Sequence, residues 1–60
     1  MERLWTTKEL ADYLGRPVAT LYAWRYRGLG PPAILMGREL RYRESDVVAW
    51  VDRLAREGSR

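Results

Sequence analysis

The sixty residues contain no cysteine, no histidine, no phenylalanine and a single lysine. Without cysteine there are no disulfides, no zinc–thiolate sites and no thiol catalysis. Without histidine the commonest metal ligand and the commonest general base near neutral pH are both gone. An enzyme would then need paired carboxylates, a metal or an activated Lys8. The acidic residues instead fall in first helical turns and on outward faces, where capping and solubility account for them. Neither catalysis, a cofactor nor a metal site is expected. No apolar run approaches the ~20 residues that span a bilayer, and the amino end does not read as a signal peptide, so a cytoplasmic protein is expected.

Length excludes more. Sixty residues make one domain, and such a chain buries only about 60% of the surface that its unfolded form exposes. Its stability is expected to be a few kcal/mol and to rest on packing, for which three Trp and four Tyr supply the area. Residues 1–4 and 58–60 are expected to be loose ends.

What the chain has in quantity is arginine, which accounts for ten of its eleven basic residues. Arginine favours bidentate contacts with phosphate and guanine. The formal charge of +3 is unevenly spread. Arg3 and Lys8 face Glu2, Glu9 and Asp12 in the first twelve residues, a net of −1. Arg53, Arg56 and Arg60 face Glu44, Asp46, Asp52 and Glu57 at the other end, again −1. Between them Arg16, Arg25, Arg27, Arg38, Arg41 and Arg43 meet Glu39 alone, a net of +5. Composition leaves two readings, a solvated basic face or a surface for a polyanion.

The elements are signalled locally. Thr6-Thr7-Lys8-Glu9 fits a capping box, with Trp5 placed to staple onto Leu10. Leu10, Tyr13 and Leu14 share one face, and Gly15 suits a left-handed stop, so a helix is predicted over about 7–14. Arg16-Pro17 opens a second helix, with Pro17 in its first turn, running to about residue 27. It ends at Gly28-Leu29-Gly30-Pro31-Pro32, which no helix traverses. So short a Gly-containing link between two helices is the spacing of a helix-turn-helix. From Ala33 to Arg43 alternation predicts a two-stranded hairpin, three residues each way, turning at Gly37-Arg38-Glu39. A last helix follows with an apolar stripe of Val47, Trp50, Val51 and Leu54, ending at Gly58. The order is helix, helix, hairpin, helix.

Turning about 100° per residue, the core side of the second helix lies between Leu21 and Trp24. Ala19, Ala23 and Tyr26 fall nearly opposite, Tyr22 is also outward, and Thr20, Arg25 and Arg27 sit on the flanks. Small residues let a helix backbone approach a groove closely, tyrosine hydroxyls bond phosphates or base edges, and flanking arginines reach phosphates. Tyr22 and Tyr26 have an alternative as half-buried packing residues, and Arg25 as the partner of a carboxylate on the last helix.

Together these residues resemble the excisionase-type helix-turn-helix domains, relatives of the DNA-binding half of MerR-type regulators and of AlpA-type phage regulators. The resemblance is carried by Thr6-Thr7-Lys8-Glu9-Leu10-Ala11-Asp12-Tyr13-Leu14-Gly15, by Thr20-Leu21-Tyr22 and Trp24-Arg25-Tyr26-Arg27-Gly28, and by Gly30-Pro31. Gly37-Arg38, Arg41-Tyr42-Arg43, Ser45-Asp46-Val47 and Ala49-Trp50 continue it. It covers about residues 4–54. It implies a mainly α, winged helix-turn-helix fold with a two-stranded wing, the second helix in the major groove and the wing on backbone or minor groove.

To the candidate contacts on and beside the second helix (Arg16, Ala19, Thr20, Tyr22, Ala23, Arg25, Tyr26 and Arg27) the resemblance adds Arg38 at the wing tip and Arg41 on its outward face. The turn at Arg38 has an alternative as a plain hairpin turn. Pro17 stands where many members carry a capping Ser or Thr, and Ala23 where many carry a basic residue. Because the last helix ends near residue 57, neither effector sensing nor a coiled-coil dimer is expected. The family implies two roles on double-stranded DNA. One is an excisionase that binds adjacent sites head to tail, bends the DNA and biases an integrase toward excision. The other is a small transcriptional regulator. Either would work in the cytoplasm of a bacterial host, at the nucleoid. A protein-interaction module without DNA binding is the rival from another class.

Overall fold

Thr6 starts the first helix through its side chain. The Glu9 N–H donates to Thr6 Oγ1 at 3.0 Å while the Thr6 N–H donates to Glu9 Oε1 at 2.8 Å, so two orphan donors are satisfied reciprocally. The computed structural model describes residues 2–58 and orders them as β1 (Leu4–Thr6), α1 (Thr7–Leu14), α2 (Val18–Tyr26), β2 (Ile34–Met36), β3 (Glu39–Arg43) and α3 (Glu44–Gly58). Gly15 ends α1 in the left-handed conformation at φ 67°. A three-residue turn, Gly15-Arg16-Pro17, then leads into α2. The arrangement is a winged helix-turn-helix.

The expected bounds shift at three elements. Pro17 caps α2 from outside, at φ −64° and ψ 149°, so the helix begins at Val18 and ends at Tyr26. The β3 arm of the hairpin is five residues long, because a further strand pairs with it. That strand is β1, which pairs beside the β2–β3 hairpin of the wing and makes the sheet three-stranded, in the order β1-β3-β2. Trp5 lies opposite Tyr42 and Thr6 opposite Arg41 in this antiparallel register.

The amino-terminal segment, expected to be loose, is tied down for the same reason. The Glu44 N–H donates to the Arg3 carbonyl at 3.1 Å, and the Ser45 N–H donates to Glu2 Oε1 at 2.7 Å. Those donors are orphans of the first turn of α3, and Glu2 supplies a cap from 43 residues away. At the other end Gly58 closes α3, and 59–60 lie outside the described residues.

Every element except β2 contributes to the core. Trp5 comes from β1, Leu10 and Ala11 from α1, Leu21 from α2, Leu40 and Tyr42 from β3, and Val47 from α3. Trp5 joins Leu10 in this cluster, as the staple predicts, and takes the edge of Tyr13 at 4.9 Å, which leaves Tyr13 largely exposed and not in the core. Along α3 the predicted stripe is buried only at Val47. Val51 and Trp50 are half-buried and Leu54 is exposed, because α2 and α3 splay apart over an apolar cleft bridged by Trp24 and Trp50.

Candidate nucleic-acid interface

One turned-out face of α2 carries most of the predicted site. Only Leu21 of this helix is fully buried, and Val18 and Trp24 lie against the core beside it. With those three directed inward, Ala19, Ala23 and Tyr26 point to solvent, as the 100° geometry requires. Tyr26 is 92% exposed and packs against nothing, while Tyr22, 52% exposed, lies half within the cleft lined by Val18 and Leu40. Thr20 is half-buried on the flank. The two alanines leave the helix backbone open beside the two tyrosines.

Arg16, Arg25 and Arg27 are exposed around this face. Arg16, in the turn before α2, lines the apolar cleft with Leu14, Trp24 and Leu29. Arg27 is the last-turn cap residue of α2, at φ −92°. Arg25 does not reach a carboxylate on α3. Its positive charge acts on the buried Tyr42 hydroxyl, and it shares a hollow along the Gly28–Ala33 loop with Arg53 of α3. Burial raises the Tyr42 phenol above its ordinary value. Its hydrogen bond with Thr7 and the charge of Arg25 work against that rise, while Tyr22 adds to it. Gly30 holds this loop against the helix. It sits at φ 81°, and a Cβ there would meet the Trp24 ring at 3.4 Å.

The wing closes the other side. Tyr22, Lys8, Arg38 and Arg41 line one cleft between α1, α2 and the sheet, so the wing and the face of α2 are parts of one surface. Arg38, at the turn, is exposed and has no carboxylate partner among the described residues. Arg41 differs. Its side chain is only 28% exposed, one guanidinium nitrogen meets Glu39 Oε1 at 2.5 Å and the other donates to the Leu40 carbonyl at 2.9 Å.

Charge pairing separates scaffold from surface. Arg3 pairs with Glu9, Lys8 with Asp12, Arg43 with Asp46 and Arg56 with Asp52. Glu44 accepts from Trp5 Nε1 at 3.2 Å. The described arginines left without a carboxylate are Arg16, Arg25, Arg27, Arg38 and Arg53. Four of the five flank α2 or tip the wing. Arg53 escapes a reading by sequence because it lies in a stretch of net negative charge. Its place beside Arg25 follows from the packing of α3, which windowed charge does not see. Among the described residues no group of three or more Asp or Glu side chains gathers that could hold a metal ion.

A family described as the helix-turn-helix domain matches residues 6–55, which takes in α1, α2, the wing and most of α3. No curated protein matches the chain, and no solved structure does.

Proposed function

Because the chain belongs to the helix-turn-helix domain family, we propose that it binds double-stranded DNA by laying α2 in the major groove with the wing beside it. The observation that carries this reading is the gathering of carboxylate-free arginines around the outward face of α2 and at the wing tip. Ala19 and Ala23 let the α2 backbone approach the groove floor. The hydroxyls of Tyr22, Tyr26 and Thr20 bond base edges or phosphates, and Arg16, Arg25, Arg27 and Arg38 hold the phosphates on either side. Arg41 joins them by exchanging Glu39 for a phosphate. In this reading the protein acts by binding and bending, without catalysis. Of the described helices none is long and apolar enough to cross a membrane, and the working place is the nucleoid of a bacterial host.

Within DNA binding the role is that of an excisionase. This rests on the resemblance over residues 4–54 and on a family that takes in small AlpA- and excisionase-like proteins. A single module buries roughly 600–1,000 Å² on DNA, which makes for weak binding alone. Occupancy therefore comes from adjacent sites filled head to tail beside an attachment site, with an integrase as the further partner.

The test is a gel-shift titration on the DNA flanking its own gene, with permuted probes that report bending. Stepwise cooperative shifts with a large bend are expected. A single shift on an unbent site assigns the chain to promoter control instead, and no salt-dependent shift makes it a protein-interaction module. Five phosphate-holding arginines predict that log affinity falls with log salt at a slope of about −4.5. Tyr26→Ala is expected to weaken binding while leaving the melting temperature in place. A large loss of melting temperature would return Tyr26 to a structural role.

A further inference from the structure

β2 gives no side chain to the core, yet it is apolar throughout, Ile34-Leu35-Met36. It is also an edge strand. Exposed edges are ordinarily blunted with charge, since an apolar one invites pairing with other chains. Here Leu35 is 60% exposed and Met36 51%. The register places Leu35 opposite Leu40, on the core-side face of the sheet, and Met36 opposite Glu39, on the other face. Between Met36 and Glu39 the chain turns at Gly37, which supplies the left-handed φ of 66°, and at Arg38. The tip of the wing is a blade with an apolar side chain on each flank and an unpaired cation at its edge.

Arg38 decides what such a blade fits. An apolar protein pocket or a lipid interior would strip the guanidinium of water without replacing its partners. The minor groove of DNA, about 6 Å wide and strongly negative where it narrows, takes arginine directly. Leucine and methionine beside that arginine are the side chains that wedge between base steps and kink a duplex toward its major groove.

We infer that the wing is a DNA wedge. Arg38 enters the minor groove next to the groove held by α2, and Leu35 and Met36 prise it open, unstacking a base step and kinking the duplex away from the wing. This rests on the reading above that the chain binds duplex DNA. It adds a source of selectivity without hydrogen bonds, since TA and CA/TG steps unstack most easily and are favoured beneath the wing.

Ligase-catalysed ring closure of a mixed-sequence duplex of roughly 150 bp, about one persistence length, tests this without knowledge of the target site. The wild-type chain is expected to raise the ring yield about tenfold, because a bent duplex has already met part of the elastic cost of closure. The double variant Leu35→Gln, Met36→Gln alters no buried residue, and a thermal melt checks that it folds. It is expected to lose most of the rise. Its salt slope should match that of the wild type, since no charge is removed. Wild-type protein that binds the fragment without raising ring yield overturns the wedge and leaves DNA binding standing. So does a double variant that closes rings as well as wild type, including one whose only defect is lost self-association in sedimentation. Wild-type protein with no salt-dependent duplex affinity overturns the underlying reading, and the wedge with it.

Discussion

The two helices of the helix-turn-helix are nearly equal in length, eight residues in α1 and nine in α2, and are built on opposite terms. α1 is closed at both ends, by the Thr6–Glu9 capping box and by left-handed Gly15, and buries Thr7, Leu10 and Ala11. Its charged side chains are occupied, Glu9 by Arg3 and Lys8 by Asp12. α2 has no side-chain cap at its start, buries Leu21 alone, and leaves its tyrosines and its arginine exposed. A helix that must be held satisfies its own polar groups. A helix that must be presented to a partner leaves them unsatisfied and relies on its neighbour for stability.

Removing the anchor of each helix tests this contrast at its largest scale. Leu10→Ala and Leu21→Ala each delete a fully buried side chain and are expected to lower stability by about 3 kcal/mol, read in urea melts. The loss should be alike for both, since one core serves both helices. If Leu21→Ala left stability untouched, α2 would be a self-sufficient helix and the contrast would fail. A smaller effect separates holding from presenting. Thr6→Ala removes one half of the capping box and is expected to destabilise by about 1 kcal/mol, while the folded variant keeps its DNA affinity.

Most of this contrast is legible in the sequence, because capping boxes, left-handed glycines and helical faces are local patterns. The turned-out face of α2 follows from Leu21 and Trp24 alone. The parts that are not legible are non-local. Leu4-Trp5-Thr6 is too short to declare itself a strand, and becomes one only by pairing with Arg41–Arg43 far along the chain. The tie from Glu2 to Ser45 has the same origin. The pairing of Arg41 with Glu39 was within reach, since residues two apart on a strand share a face. The splay between α2 and α3, which exposes Leu54 and half of Trp50, depends on helix placement that no spacing encodes.

The smallest expected effect lies in the acid range and concerns the held half of the molecule. The Glu2 carboxyl is kept below its ordinary value of 4.5 chiefly by the Ser45 hydroxyl, then by the Ser45 N–H, and Glu9 is kept low by the Thr6 N–H and then by Arg3. A carboxyl depressed in the folded state stabilises the fold above its unfolded value, and that contribution is lost as pH falls through the folded one. The melting temperature should therefore decline once pH drops below about 4.5, and Glu2→Gln should flatten the decline. An unchanged acid profile in that variant would detach the amino-terminal segment from α3.

The contact between Trp24 and Trp50 has a consequence of another kind. The two indoles stand 5.6 Å apart, tilted by 49°, one on the helix proposed to enter the groove and the other on α3. Rings so close share their excited states, so their coupled circular dichroism and their mutual quenching depend steeply on the gap between the helices. With only Trp5 as background, the chain carries its own optical ruler across the cleft. Any shift of α2 against α3 on meeting a partner is written into its native spectrum, and no label is needed to read it.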